Sequence, residues 1–291
     1  MSGDALMSRD AGWTWRWYIG FRVLLGVYLA SHLGMLLPWA AELFSSGGVL
    51  PAASASPLFK VMPSLFWISD TPAMATGVVA AGAVLGVVLA AGRFDRVAAL
   101  LLWWIWAMLL CRNPLTLNPG LPYVGLLLLV HAATPKPGAT ERTTWRKPAA
   151  LHGVVWILLA VGYTYSGLWK LASPSWRDGS AIFHVLHNPL ARPWPTREWL
   201  LALPGIVLTA MTYAALAAEI LFAPLALSRR IRPLLWAAAT AGHVTVLILL
   251  DFADLTLGVL LVHAYVFEPA WLQGRWFSRS NDSSSLGSEA V

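Results

Sequence analysis

Lys170 stands at the end of a long apolar stretch and is the residue best placed to do chemistry. The stretch VGYTYSGLWKLASPSWRDG, residues 161–179, passes directly from apolar sequence into a polar loop that contains proline. A charge at mid-helix in a bilayer costs about 2.5–3.5 kcal/mol in insertion experiments, so an intramembrane charge is a functional candidate. A desolvated lysine can give up its proton and then act as a general base. Lys170 is therefore a candidate catalytic residue.

The residues before Lys170 indicate a polar helix face. Tyr163, Ser166 and Gly167 precede it by seven, four and three positions, so a helix presents them on the same side as the lysine. Two hydroxyl groups and a glycine that permits close helix approach are typical of the interior of a membrane bundle. The alternative is a structural lysine whose long stem lifts the ammonium to the lipid headgroups. The spacing leaves both interpretations open.

Two further ionisable residues lie in apolar stretches. Glu219, within AALAAEILFAPL, has no cation three or four residues away. It must therefore be protonated, hydrogen-bonded to backbone, or paired with a cation from another helix, for which Lys170 is a candidate. His243, within AAATAGHVTVLILL, either donates to a neighbouring helix carbonyl or belongs to a site.

Two loops extend the candidate site. CRNPLTLNPGLP, residues 111–122, carries Asn113 and three prolines that leave backbone groups without helical partners, and such a segment normally lines a cavity. We expect this loop to line the same cavity as Lys170. Residues 173–194 follow Lys170 and have an amphipathic middle suited to lying in the membrane interface as a lid. The HVLH pair within it, His184 and His187, lacks a third ligand, so no metal is expected.

The composition defines the elements that must position these residues. The chain has 291 residues, is 58% hydrophobic and only 12% charged, and contains 17 tryptophans. Since about 20 apolar residues span a bilayer, the sequence predicts an all-α, polytopic integral membrane bundle of about eight transmembrane helices. Two or three of these are short or re-entrant, so six or seven spans are alternatives. The predicted helices cover residues 17–44, 73–92, 97–111, 121–133, 149–171, 199–227, 232–250 and 255–267.

The placement of lysine and arginine predicts the orientation. Cytoplasmic loops collect these residues, and eight spans with both termini in the cytoplasm place most of the 20 on that side. Those left outside are Lys60, Arg112, Arg177, Arg192 and Arg197. The net charge of +6 is then explained by membrane orientation, and nucleic acid is not expected as a partner. We predict a flexible N-terminus with a tryptophan belt (1–15), a membrane domain (16–272) and a disordered polar tail (273–291).

Four stretches resemble the horizontally transferred transmembrane (HTTM) family, which includes the membrane domain of vitamin K-dependent γ-carboxylases. They are ELFSSGGVLP, RNPLTLNPG, YTYSGLWKLASPSWRDGSA with the later ARPW, and TYAALAAEILF with the following helix. The resemblance implies that Lys170 deprotonates a reduced quinone, similar to vitamin K hydroquinone, in an extracytoplasmic pocket. It also implies a bacterial inner-membrane location and a secreted peptide or protein as substrate. We assign the binding of the quinone to Asn113, Tyr163, Ser166, Glu219 and His243.

Two departures separate this chain from the carboxylases. Arg112, Asn113 and Pro114 stand where the carboxylases have Asn-Asn-His, so an active-site histidine is missing, and the large soluble domain that recruits their substrates is absent. A second function therefore stays open. In it the protein is a non-catalytic membrane partner, or a transport or maturation component, and Lys170 and Glu219 are structural.

Overall fold

The computed structural model describes residues 12–273, and this part of the chain is helical. Its only β-type pairing is an isolated bridge between Ala191 and Leu250. The helices are α1 (Trp15–Leu36), α2 (Ala40–Phe44), α3 (Pro72–Ala91), α4 (Asp95–Arg112), α5 (Gly120–Ala133), α6 (Ala149–Lys170), α7 (Pro174–Arg177), α8 (Ala181–Leu186), α9 (Pro195–Leu201), α10 (Gly205–Ile220), α11 (Phe222–Ala226), α12 (Arg232–Leu249) and α13 (Ala253–Val266).

Each predicted helix coincides with helical structure to within a few residues, except the sixth. The prediction of one continuous helix over 199–227 is wrong, because α9, α10 and α11 share that region. Helices α9 and α10 meet at an angle of 107°. Pro204 stands at this bend, where it disfavours helical geometry in the residue before it. Pro224 lies inside α11 and lacks the backbone N–H that would continue the helical hydrogen bonds from α10 into α11.

Several helices are suited to a lipid bilayer. Within residues 12–273, four helical segments are long and apolar enough to span a membrane, or five if α9 and α10 form one broken span. The four are Trp15–Phe44, α3, α6 and α12. Helices α5 and α13 are apolar but shorter, and α4 carries Asp95, Arg96 and Arg112 in its 18 residues. The helices indicate an integral membrane protein, while the prediction of eight spans is not confirmed.

The described residues form two compact units. The N-terminal unit comprises residues 15–145 and 254–265, and the C-terminal unit comprises 12–14, 146–253 and 266–273. The first boundary falls between Trp145 and Arg146, in the loop that connects α5 to α6. The predicted flexible residues 1–11 and the polar tail from residue 274 onward lie outside the described residues.

Close helix packing holds the N-terminal unit together. A Cβ atom on Gly26 of α1 would lie 2.5 Å from the backbone nitrogen of Ala90 in α3, and one on Gly86 of α3 would lie 2.6 Å from that of Ala30. Small residues on both faces let the two backbones approach, as is common between membrane helices. In the C-terminal unit, α6 packs against α10 and α11, and α8 packs against α10.

Candidate functional site

The candidate site in the C-terminal unit begins with a helix break that α6 stabilises. Pro224 has no backbone N–H, so it cannot donate the helical hydrogen bond to the carbonyl of Ile220. The hydroxyl of Thr164 in α6 lies 3.2 Å from that carbonyl oxygen and 3.0 Å from the backbone nitrogen of Ala223. The hydroxyl of Thr164 thus donates a hydrogen bond to the Ile220 carbonyl and accepts one from the Ala223 N–H. The break is satisfied by a side chain from a neighbouring helix, as apolar surroundings require.

Gly167 brings α6 close to the same break. A Cβ atom at this position would lie 2.7 Å from the backbone nitrogen of Ile220 and 3.0 Å from Cβ of Glu219. Real Cβ atoms do not approach backbone so closely, so only glycine fits here. The prediction of a close-approach glycine on the face of Lys170 is supported by this contact. Because α6 is so near, the last turn of α10 lies within reach of the lysine.

Lys170 and Glu219 form an ion pair between these two helices. The ammonium of Lys170 donates a hydrogen bond to Oε1 of Glu219. The two side chains are 26% and 21% exposed, so most of each is shielded from solvent. The other carboxylate oxygen, Glu219 Oε2, is buried and receives no hydrogen bond from any residue between 12 and 273. The pair therefore retains one buried acceptor.

The loop after Lys170 covers the pair with an aromatic ring. The ammonium of Lys170 lies 4.6 Å from the centre of the Trp176 ring in α7, within the range of a cation–π interaction. The loop is attached to α10, since the hydroxyl of Tyr213 donates to the carbonyl of Arg177 at 2.9 Å. Gly179, with φ of 83°, allows a close approach to Thr209 of the same helix. Residues 173–180 are therefore packed against α10, with Trp176 beside the lysine.

The other predicted site residues of this unit lie along the same helices. The ring of Tyr163 stacks on Phe222 with 4.4 Å between centroids, and its centroid is 6.0 Å from that of His243. Ser166 is half-buried on α6. The structure thus joins Lys170 to Glu219 directly and Tyr163 to His243 through ring contact.

Asn113 and Arg112 belong to the N-terminal unit, where their side chains form hydrogen bonds to other segments of that unit. The amide nitrogen of Asn113 donates to the carbonyl of Leu43 at 2.7 Å, and its amide oxygen accepts from the nitrogen of Leu115 at 3.1 Å. The guanidinium of Arg112, which is fully buried, lies 3.2 Å from both carboxylate oxygens of Asp70. The amide of Asn113 and the terminal nitrogens of Arg112 thus bond to residues of this unit, whereas Nε of Arg112 is buried without a hydrogen bond to any residue between 12 and 273.

A second polar cluster in the N-terminal unit was not anticipated from the sequence. Asp95 is 1% exposed and forms an ion pair with Lys136. Its Oδ2 atom lies 3.5 Å from Nε2 of His131 and 3.9 Å from Nη1 of Arg22. The other ring nitrogen of His131 lies 2.7 Å from the hydroxyl of Tyr18. The sequence did contain one indication of this cluster. Arg22 lies within the first apolar stretch, and an arginine inside a membrane span needs an acidic partner.

Within residues 12–273 no three side chains of the His, Cys, Asp and Glu types lie close enough to share a metal ion. No protein-family model, curated protein or solved structure matches this chain, so its resemblance to the HTTM family stays a prediction.

Proposed function

We propose that the protein is a membrane-embedded enzyme in which Lys170 is the general base of an extracytoplasmic pocket. Its substrate is a reduced quinone or another lipidic molecule with an acidic hydroxyl group. The proposal includes eight spans with both termini in the cytoplasm, in the inner membrane of a bacterium. It rests on the sequence resemblance and on one structural observation, the hydrogen bond between Lys170 and Glu219.

That hydrogen bond offers the lysine a route to its neutral form. In surroundings of low polarity, a proton that moves from Nζ to Oε1 converts two charges into a neutral amine and a neutral carboxylic acid, which avoids their desolvation cost. The neutral amine of Lys170 can then accept the hydroxyl proton of the substrate. The product oxyanion faces the resulting ammonium, and Glu219 keeps the proton that Lys170 gave up.

The residues around the pair suit an aromatic diol. Glu219 Oε2 is a buried acceptor with no hydrogen bond from the described residues, and it is available to a substrate hydroxyl. Trp176 beside Lys170 offers a flat apolar surface, as does Tyr163, which lies about two helical turns before Lys170 in α6. A reduced quinone would supply the acidic hydroxyl and, after deprotonation, the electrons for reaction with oxygen. In the N-terminal unit, Asn113 uses its amide on Leu43 and Leu115, so its predicted role in binding has the least support.

Three substitutions test this proposal. Lys170→Arg keeps the positive charge but cannot release its proton, and Glu219→Gln keeps the shape of the carboxylate but cannot accept the proton of Lys170. We expect both variants to lose quinone oxidation in isolated membranes. Glu219→Asp keeps a carboxylate and should retain a measurable part of the quinone-oxidation activity. Full activity in both Lys170→Arg and Glu219→Gln would defeat the proposal. Mass spectrometry of quinones that copurify with the protein identifies the substrate independently.

The ion pair also supports a second function. The charges of Lys170 and Glu219 compensate each other between α6 and α10, so the pair can also have a purely structural role. The protein would then be a non-catalytic membrane partner, or a transport or maturation component. In that case Lys170→Arg preserves the pair and the function, while membranes show no quinone oxidation linked to the protein. The arginine variant therefore separates the two functions.

Cysteine labelling tests the proposed orientation. Single cysteines in a Cys111→Ser background are treated with a membrane-impermeant maleimide in intact cells. We expect a cysteine at position 140, in the loop before α6, to be protected and one at position 177, in the loop after it, to react. Reaction at position 140 from outside would reverse the orientation and place Lys170 on the cytoplasmic side.

A further inference from the structure

An apolar groove in the C-terminal unit lies apart from the pair of Lys170 and Glu219. It encloses about 250 Å³ between α6 and the segment that runs from α11 to the start of α12. Its walls are formed by small and aliphatic residues, chiefly Gly153, Ile157, Ala160, Val161, Ala223 and Leu227. Drug-sized sites enclose about 300–1,000 Å³, so this volume suits a segment of a hydrocarbon chain better than a whole polar molecule.

Polar groups are concentrated at one side of the groove. Arg232 lines it with a guanidinium that is almost fully buried, and the central carbon of that group lies 5.6 Å from the centre of the Trp156 ring. Trp156 also lines the groove, and its indole N–H is buried without a hydrogen bond to any residue between 12 and 273. A cation and an available N–H donor thus lie side by side at an apolar groove.

The charge around this side of the groove is positive. Arg229 and Arg230 lie exposed immediately before α12, two and three residues from Arg232. A carboxylate of the same unit, Glu268, is 3.2 Å from Nε2 of His152. Among the described residues, arginine is in excess at this side of the groove, which favours an anion, and Lys or Arg near a membrane surface attracts acidic lipid.

We propose that this groove binds an anionic phospholipid. One acyl chain packs against the aliphatic walls, and the phosphate accepts a hydrogen bond from the Trp156 indole N–H beside Arg232. Arg229 and Arg230 add attraction for the headgroup charge. A zwitterionic lipid offers the same chain but a neutral headgroup, so the site distinguishes lipids by charge. This site is independent of the chemistry proposed for Lys170.

Native mass spectrometry of the full chain in detergent tests the proposal. The protein is titrated with dioleoylphosphatidylglycerol and, separately, with dioleoylphosphatidylcholine, which has the same chains. We expect the anionic lipid to bind about a hundredfold more tightly, as the combined effect of three arginines. Equal binding of the two lipids would overturn the proposal. Displacement of the bound lipid by inorganic phosphate alone would also overturn it, because the groove would then contribute nothing.

Two variant pairs locate the binding. Val161→Trp fills the groove from its exposed edge, and Val154→Trp places the same side chain at an exposed position of α6 that does not line the groove. We expect about a tenfold loss of phosphatidylglycerol affinity in the first and none in the second. Equal affinity in the two variants would contradict the assigned groove.

The second pair tests the charge and stands even if Val161→Trp does not fold. The double variant Arg229→Gln with Arg230→Gln should lose about fivefold in affinity for each arginine removed. Arg93→Gln with Arg142→Gln removes the same charge from exposed positions of the N-terminal unit and serves as the control. Equal loss in both double variants would show that total charge, and not this site, selects the lipid.

Discussion

The ammonium of Lys170 and the carboxylate of Glu219 form a hydrogen-bonded ion pair between the last residue of α6 and the last turn of α10. A lysine that only extends to the lipid headgroups is not expected to form an ion pair with another helix. Removing one partner leaves the other charge largely shielded and unpaired. This relationship makes the stability of the unit depend on both residues.

We expect Lys170→Met and Glu219→Leu each to lower the free energy of unfolding by about 1–3 kcal/mol, the cost of leaving a shielded polar partner unsatisfied. The double variant should lose less than the sum, because neither charge remains. Denaturant unfolding in detergent measures the coupling between the two positions. Strict additivity would show that the two residues do not interact.

Gly167 should tolerate no side chain. Gly167→Ala places a methyl group against the backbone of Ile220, so α6 and α10 must separate, at a cost of about 1–3 kcal/mol. Gly242→Ala is the matched control, because a Cβ atom on this glycine of α12 meets nothing within 4 Å. The control should gain up to about 1 kcal/mol from higher helix propensity. Thermal unfolding of both variants in detergent gives the comparison, and equal stability would refute the close packing.

Arg112 should be more important for stability than an arginine whose acidic partner is exposed to solvent. Arg112→Met leaves Asp70 without its guanidinium and should cost about 3 kcal/mol, since the arginine is fully buried. Arg192→Met serves as the control, because its partner Asp251 is 75% exposed, and it should cost about 1 kcal/mol or less. A loss at position 112 no larger than at position 192 in denaturant unfolding would contradict this.

The loop after Lys170 should become easier to cleave as the pH falls. Hydrogen bonds from the side chain and backbone nitrogen of Ser180 hold the pKa of the Asp178 carboxyl below its usual range. A depressed pKa means that these bonds stabilise the loop above the ordinary pKa of about 3.9 and are lost as the pH falls through the lower, folded value. Ser180→Ala should raise the pKa, so cleavage of the loop by pepsin should begin at a higher pH.

Ser175→Ala is the control for this experiment. Ser175 lies in the same loop, and its hydroxyl bonds to that of Ser173 rather than to Asp178. Its cleavage profile should follow that of the unsubstituted chain. A shift of equal size in both variants would show that loop flexibility, and not the carboxyl group of Asp178, sets the response.

The sequence could predict most helix positions because long apolar stretches have few alternatives to helix in a membrane. It also placed Gly167 correctly on the face of Lys170, since helical spacing is local information. It did not predict the break at Ile220. Apolar residues on both sides of Pro224 preserve the hydrophobic pattern, and the group that makes the break tolerable, Thr164, lies far away in the sequence.

The cluster around Asp95 escaped prediction for the same reason. Asp95 begins α4, where an acidic residue is unremarkable because it favours the positive end of the helix. Its partners Arg22, His131 and Lys136 come from three other parts of the chain, so only tertiary structure brings them together. Ionisable residues could be identified from the sequence one by one, whereas their pairing could not.

The hydrogen bonds of Thr164 to the broken helix also constrain how this sequence can change over time. With a residue other than proline at position 224, an ordinary helical N–H would reach the Ile220 carbonyl, and that carbonyl would no longer need the hydroxyl at position 164. With proline kept and the hydroxyl lost, that carbonyl would stay unsatisfied in apolar surroundings. Among related chains, we therefore expect positions 164 and 224 to vary together, although 59 residues separate Thr164 from Ala223, the other partner of its hydroxyl.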